Sequence, residues 1–342
     1  MPERLLEVKD LKVRFATEDG VVRAVDGVDF ELDRGKVLGI VGESGSGKSV
    51  TAMTLLGLTR DKNTRFEGEV DYKGNNLLEM PESRLREVRG AQIAMIFQDP
   101  MTSLNPVYTV GDQIIEAIVT HEDIGKSAAR SRAVELLREV GIPNAQSRVD
   151  DYPHQFSGGM RQRAMIAMAL SCNPDILIAD EPTTALDVTI QAQILELIDK
   201  LKDDFDSAVI MITHDLGVVA EVADQILVMY AGRVVEHGGK RDVFYDPQHP
   251  YSWGLLGSIP RLDRPKPKRL HSIQGSPASL INLPQGCKFR PRCPHAFEKC
   301  HEEPGLENRV EQKGHLDRCW LTVEEKKRLR VTTLAGEAVG AA

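Results

Sequence analysis

No segment of this sequence is apolar for long enough to cross a bilayer, because every hydrophobic run stops well short of the roughly 18–20 residues that a membrane helix needs. The start, Met1-Pro2-Glu3-Arg4, also lacks the apolar stretch of a secretory signal, so the chain is expected in the cytosol. An excess of basic charge is missing as well: 43 Lys and Arg face 51 Asp and Glu, for a formal net charge of −8. Such an interspersed, acidic balance argues against a general nucleic-acid binder, which shows a basic stripe. Cysteine is scarce, five residues in 342, and in a reducing compartment thiols serve as metal ligands or packing groups more often than as disulfides. Internal repeats, coiled-coil heptads and low-complexity tracts are absent. The length exceeds what one hydrophobic core usually sustains, about 250–300 residues, and so predicts one large domain with an appendage.

The most informative feature present is Gly42-Glu43-Ser44-Gly45-Ser46-Gly47-Lys48-Ser49, which follows directly on the apolar run Val37-Leu38-Gly39-Ile40-Val41. A glycine-rich loop between a buried strand and a helix is a phosphate cradle. Its glycines let successive backbone N–H groups face an anion, and the helix that begins here adds its positive end. In this pattern Lys48 reaches the terminal phosphates and the Ser49 hydroxyl ligands Mg²⁺, which predicts a nucleoside triphosphate site.

Further apolar runs, Ile93–Phe97, Ile176–Ala179, Ala208–Thr213 and Ile226–Met229, are continuous rather than alternating. That pattern predicts strands covered on both faces, hence a parallel sheet in an α/β core. Looser alternation over Leu6–Phe15 and Val21–Leu32, broken by Glu18-Asp19-Gly20, predicts a small antiparallel element ahead of the loop. Between Pro106 and Tyr152 the strand signal vanishes. Thr109–Thr120, opening with a Thr109/Asp112 capping pattern, and Ser127–Val140, ending before Gly141 and Pro143, predict an all-helical insertion. The character changes again after Gly238-Gly239, which places a domain boundary near residue 240, and no long periodic segment returns until Val323–Leu329.

Two more segments carry chemistry. Ile176-Leu177-Ile178-Ala179-Asp180-Glu181 is a buried strand ending in adjacent carboxylates. Neighbouring residues at a strand end point different ways, so Asp180 is suited to hold Mg²⁺ while Glu181 faces the γ-phosphate and polarises an attacking water. Phe156-Ser157-Gly158-Gly159-Met160-Arg161-Gln162 opens a helix expected to run to about Ser171, and its serine cap and exposed N–H groups make a second anion site.

With these segments in that order, residues 5–240 resemble the nucleotide-binding subunit of an ATP-binding cassette (ABC) transporter. Ser157, Gly158, Gly159 and Met160 stand where that family has its Leu-Ser-Gly-Gly-Gln signature, with Phe156 in place of Leu and Met160 in place of Gln. Gln98 matches the glutamine loop that ligands Mg²⁺, Ala185-Leu186-Asp187 matches the D-loop at the dimer interface, and His214 matches the switch histidine that contacts γ-phosphate. Phe15 is the candidate aromatic that stacks on adenine, against the alternative of an ordinary core residue. The resemblance implies a P-loop NTPase, RecA-like core (1–240) with a helical subdomain at about 100–172, ATP and Mg²⁺ as ligands, and Ser49, Gln98 and Asp180 around the metal. It also implies a head-to-tail dimer in which each ATP lies between one subunit's phosphate loop and the other's signature. Members that act on chromosomes insert long coiled coils between loop and signature, whereas only 107 residues separate Ser49 from Ser157.

Within the family, Phe97-Gln98-Asp99-Pro100-Met101-Thr102-Ser103-Leu104-Asn105-Pro106, Tyr152–Arg163 and His249-Pro250-Tyr251 resemble the D-type ATPase subunits of dipeptide and oligopeptide importers, a group with nickel-uptake relatives. That likeness implies a peripheral location on the cytoplasmic face of the membrane, a second and different ATPase subunit, two transmembrane permease subunits and an extracytoplasmic solute-binding protein. The remaining 241–342 form a small Cys-rich extension. Cys287, Cys293, Cys300 and Cys319 have five, six and eighteen residues between successive members, looser than the usual zinc knuckle, and four thiolates suffice for one zinc ion or one cubane cluster. The resemblance implies a [4Fe–4S] cluster for some members; zinc and free thiols are the alternatives. Lys266, Lys268, Arg269, Arg290 and Arg292 make the extension locally basic, read as a solvated linker or as a contact with acidic headgroups.

Overall fold

The computed structural model describes residues 3–183, 187–259 and 272–335. The D-loop residues Ala185 and Leu186 and the basic residues Lys266, Lys268 and Arg269 lie outside them. The chain divides into two compact units, each assembled from separate stretches: Met1–Leu6, Glu31–Val37 and Asp71–Ile212 in the first, Glu7–Phe30, Leu38–Val70 and Thr213–Ala342 in the second.

The first unit is built on parallel strands Ile93–Ile96, Ile176–Asp180 and Ala208–Thr213, in register Ile93 to Ile176 to Ala208. Every residue of these strands is buried, as continuous apolarity predicted. Before the middle strand, Asp175 accepts hydrogen bonds from Arg34 at 2.8 Å, the Tyr72 hydroxyl at 2.6 Å and Lys73 at 2.7 Å. Burial pushes its carboxyl up, but these three donors outweigh it and hold Asp175 below the usual carboxylate range. Helices Val110–His121, Lys126–Glu139 and Gly158–Ala169 pack on one another as the helical insertion. Thr109 caps the first as its sequence pattern predicts, accepting the Asp112 N–H at 3.0 Å.

In the second unit the strand Val37–Val41 runs parallel to Gln225–Tyr230, which pairs antiparallel with Arg233–Gly239. The extension continues this sheet: Leu316–Asp317 pairs with Glu236 and His237, and Glu307–Asn308 adds a further short strand. Two fully buried ionic groups lock it there. Glu236 accepts from His315 at 2.8 Å and from the Gln248 and His249 backbone at 2.6 and 3.0 Å. Lys326, on helix Val323–Ala335, donates to Asp317 at 2.6 Å. One apolar cluster of the extension gathers Trp253, Cys319, Leu321 and the partly buried Leu329, and the buried polar pairs anchor it beside them. Strands Thr64–Tyr72 and Arg233–Gly239 and helix Pro250–Gly257 are elements that sequence patterning did not isolate. No helix among the described residues is long and apolar enough to cross a membrane.

Candidate nucleotide site

The phosphate loop belongs to the second unit, and at two of its glycines the backbone has no room for a side chain. Gly42 sits at φ +154, where a Cβ would lie 2.2 Å from the Met229 carbonyl, and Gly47 at φ +103, where one would lie 2.4 Å from the Ala24 carbonyl. Helix Lys48–Leu55 starts immediately afterwards. Lys48 is buried, and its ammonium donates to the Gly42 carbonyl at 2.8 Å and the Glu43 carbonyl at 3.1 Å, so the loop's own oxygens hold the cation. Ser46 closes the turn with its N–H on the Glu43 carbonyl at 3.2 Å, and its buried hydroxyl has no hydrogen-bond partner among the described residues. A buried, unsatisfied donor inside an amide-rich loop fits a ligand that brings acceptor oxygens. His214 is exposed directly after the strand Ala208–Thr213, and Phe15 is half-buried on the strand Arg4–Thr17.

The first unit carries the carboxylate pair and the signature. Asp180 ends the strand Ile176–Asp180 and is buried. Glu181 then turns into the left-handed region at φ 48, its N–H donating to the Ile212 carbonyl at 2.8 Å. For a residue with a Cβ that conformation costs on the order of 1 kcal/mol, and it re-aims the second carboxylate away from the strand axis. Gln98 donates its side-chain N–H to the Glu181 carboxylate at 3.0 Å. The structure thus joins two expected site residues directly, a contact that 83 residues of sequence separation concealed. Ser157 caps helix Gly158–Ala169 by accepting the Met160 N–H at 3.3 Å. Around Gly158 there is open space, while Gly159 approaches Ile190 so closely that a Cβ would lie 3.3 Å from it. Asp187 caps helix Val188–Phe205 by accepting the Ile190 N–H at 3.0 Å. Ile190, in the first turn of that helix, therefore abuts Gly159.

The extension's four cysteines line a single apolar cavity with Phe289 and Trp320, whose free volume of about 10 Å³ is the room of one water. Burial pushes the Cys287 thiol up, Cys293 far up, and Cys319 up to about 12, so without a metal they are protonated thiols. Four such donors on one cavity fit a tetrathiolate group in number and chemistry. They do not form a finished site: no group of three or more His, Cys, Asp or Glu among the described residues is disposed to hold a metal ion. The cavity has room for about one water, so a cubane core would need its walls to move outward. The expectation of a solvated basic extension fails at Arg292, whose side chain is 5% exposed and pairs with Glu43 of the phosphate loop. Arg290 instead binds the His301 ring.

Within the second unit, a buried strand, a glycine-rich loop and the N-terminus of a helix define a P-loop nucleotide-binding element. Comparison with known proteins agrees. A family model described as ABC transporter matches residues 25–184, and one described as the C-terminal region of oligopeptide/dipeptide transporters matches 235–300. The oligopeptide transport ATP-binding protein OppD of Salmonella typhimurium is 55% identical over 94% of this chain and 95% of its own length. The dipeptide transport ATP-binding protein DppD of Bacillus subtilis is 50% identical over 98% of this chain and 99% of its own. Among solved structures, the dimeric, ADP- and phosphate-bound cassette MJ0796 superposes with a TM-score of 0.62 at 27% identity, covering 69% of this chain and 99% of that one. The chain belongs to the ABC transporter ATP-binding proteins, in the oligopeptide/dipeptide group. It has that family's α/β cassette fold and its ATPase activity.

Proposed function

We propose that this ATPase powers uptake of dipeptides and oligopeptides across the cytoplasmic membrane, bound peripherally to two permease subunits that receive solute from an extracytoplasmic binding protein. The names of its relatives and the match of residues 235–300 to the transporters' C-terminal region support that cargo and those partners. Residues 1–240 act as the nucleotide-binding domain and 241–342 as the importer-type extension. A second, different cassette completes the dimer.

In this reading Lys48 and amides of the Gly42–Ser49 loop other than those of Glu43 and Ser46 bind the β- and γ-phosphates, and Ser49, Gln98 and Asp180 surround Mg²⁺. Glu181 takes a proton from the attacking water, His214 contacts the γ-phosphate, and Phe15 stacks on adenine. Ser157, Gly158, Gly159 and Met160 serve the partner's ATP, with Asp187 beside them across the interface. The observation that carries the catalytic part is the Gln98–Glu181 hydrogen bond at 3.0 Å. A metal-sensing amide that holds the general base links occupancy of the site to the position of that base. Dimer closure on ATP and reopening after hydrolysis then drive the permeases, because ATP binds the closed state more tightly.

The four cysteines would hold a metal centre, [4Fe–4S] by resemblance, with zinc as the rival. When bound, the group cross-links a segment with little apolar core, its ligation energy adding to folding. Cys287→Ser should lose visible absorbance and bound metal together, and anaerobically prepared protein with neither iron nor zinc would refute the centre. Cargo is tested by ATPase assays on the reconstituted transporter with its binding protein. Di- and oligopeptides should stimulate turnover several-fold; stimulation by Ni²⁺ and not by peptides would overturn the peptide assignment.

A further inference from the structure

The extension reaches the phosphate loop itself. Arg292 donates two hydrogen bonds to the Glu43 carboxylate, at 2.5 and 3.0 Å, and is fixed from behind by the Gln274 and Ile273 carbonyls at 3.0 and 3.3 Å. Its guanidinium lies over the Tyr230 ring at 5.8 Å. Tyr251 approaches from helix Pro250–Gly257 and accepts the Glu43 N–H at 2.8 Å. Phe289, three residues before Arg292, packs edge-on to Tyr230 at 5.3 Å and against Tyr251 at 5.3 Å, so clamp and aromatic wall form one block.

The position of Glu43 gives these contacts their meaning. Its carboxylate hangs on the second residue of a loop whose amides are turned toward an anion, where an uncompensated negative charge opposes a triphosphate. A bidentate guanidinium removes that opposition and holds the side chain off the cradle. Glu43 is also the residue whose carbonyl receives both the Lys48 ammonium and the Ser46 N–H. Fixing its side chain and its N–H from the extension therefore fixes the peptide that orients Lys48.

We propose that Arg292 is a positioning residue for the phosphate loop: by neutralising and anchoring Glu43, the C-terminal extension sets the affinity of the loop for ATP. Tyr251 is its accessory, directing the Glu43 N–H away from the cradle. The proposal rests on the reading of Gly42–Ser49 as the triphosphate site, which Lys48→Ala tests separately.

The experiment measures KM for ATP and kcat in the reconstituted transporter carrying Arg292→Gln, Arg292→Lys, Glu43→Gln and the double variant Glu43→Gln/Arg292→Gln. Arg292→Gln should raise KM about tenfold, the scale of one uncompensated charge beside a charged ligand, while kcat falls less than about twofold. Arg292→Lys, which keeps the charge and loses the fork, should fall between. Glu43→Gln, which leaves the Arg292 charge uncompensated beside the loop, should lower KM, and in the double variant it should restore KM to within about threefold of the parent. A merely structural role for Arg292 gives no such rescue. An unchanged KM in Arg292→Gln, or a double variant worse than either single one, overturns the proposal. If Arg292→Gln does not assemble, Glu43→Gln decides, because a raised KM in that variant contradicts the charge argument. Lys48→Ala that retains ATP binding and turnover would instead sink the loop assignment and leave the Arg292–Glu43 coupling to be judged by rescue alone.

Discussion

Replacing Lys326 by Met tests how the extension is held on. Lys326 and Asp317 are both fully buried, 2.6 Å apart, and one Asp317 oxygen has no hydrogen-bond partner among the described residues. Burial already pushes the Asp317 carboxyl above its ordinary value even though Lys326 and Arg309 pull it down. Removing the ammonium leaves a buried carboxylate whose nearest cation among the described residues is Arg309, at 3.6 Å, and breaking such a pair costs about 3–5 kcal/mol. Replacing both partners by apolar residues of similar size, Asp317→Leu with Lys326→Met, restores most of that loss, because a buried ion pair gains little over good packing. The two-unit chain does not promise a single two-state transition, so the readout is native-state hydrogen exchange at Leu316, Asp317 and the Val323–Ala335 helix. A loss of about 3 kcal/mol speeds their exchange by roughly a hundredfold or more. Exchange within threefold of the parent in Lys326→Met would refute the claim that this pair anchors the extension.

Other outcomes follow from the same geometry. Gly42→Ala drives a Cβ to 2.2 Å from the Met229 carbonyl at a φ that L-residues avoid, so nucleotide binding should be lost, and wild-type affinity in a binding titration would contradict the loop geometry. Tyr72→Phe removes a 2.6 Å hydrogen bond to the Asp175 carboxylate and should destabilise the first unit by about 1.5–3 kcal/mol in urea unfolding; no change would show that Lys73 and Arg34 suffice. Burial alone would lower the His315 pKa, but the Glu236 carboxylate outweighs it and raises it above 6.5. The stabilisation is thus complete below pH 6.5 and is lost as pH rises through the folded-state value, so exchange at Leu316 should quicken on the alkaline side, with a flat or opposite profile contradicting the assignment.

Much of this protein was legible where one local pattern decides the outcome. The strands at Val37–Val41, Ile176–Asp180 and Ala208–Thr213 are buried on both faces, so their apolarity is continuous and their boundaries fall within a residue of the pattern. Strand Arg233–Gly239 stayed hidden because its centre is Glu236, a buried charge whose partners are the Gln248 and His249 backbone and His315, 79 residues away. Helix Pro250–Gly257 is apolar almost all round, with Trp253 and Tyr251 fully enclosed, so it has no amphipathic period to read. The site motifs were readable as motifs, yet their couplings were not. Nothing local to Gln98 announces Glu181, and nothing local to Arg292 distinguishes it from a solvated arginine; only the fold brings 249 residues of separation down to a hydrogen bond.

The central claim is that Glu181 activates water for ATP held between two cassettes, and it is tested by Glu181→Gln in the purified transporter. With ATP and Mg²⁺, the variant should lose more than about 99% of turnover, the usual scale of a lost general base. It should still retain ATP and hold the cassettes closed, measured as stoichiometric bound nucleotide and a fixed distance between spin labels on the two ATPase subunits. Near-normal phosphate release, or loss of turnover without retained nucleotide and closure, would contradict it.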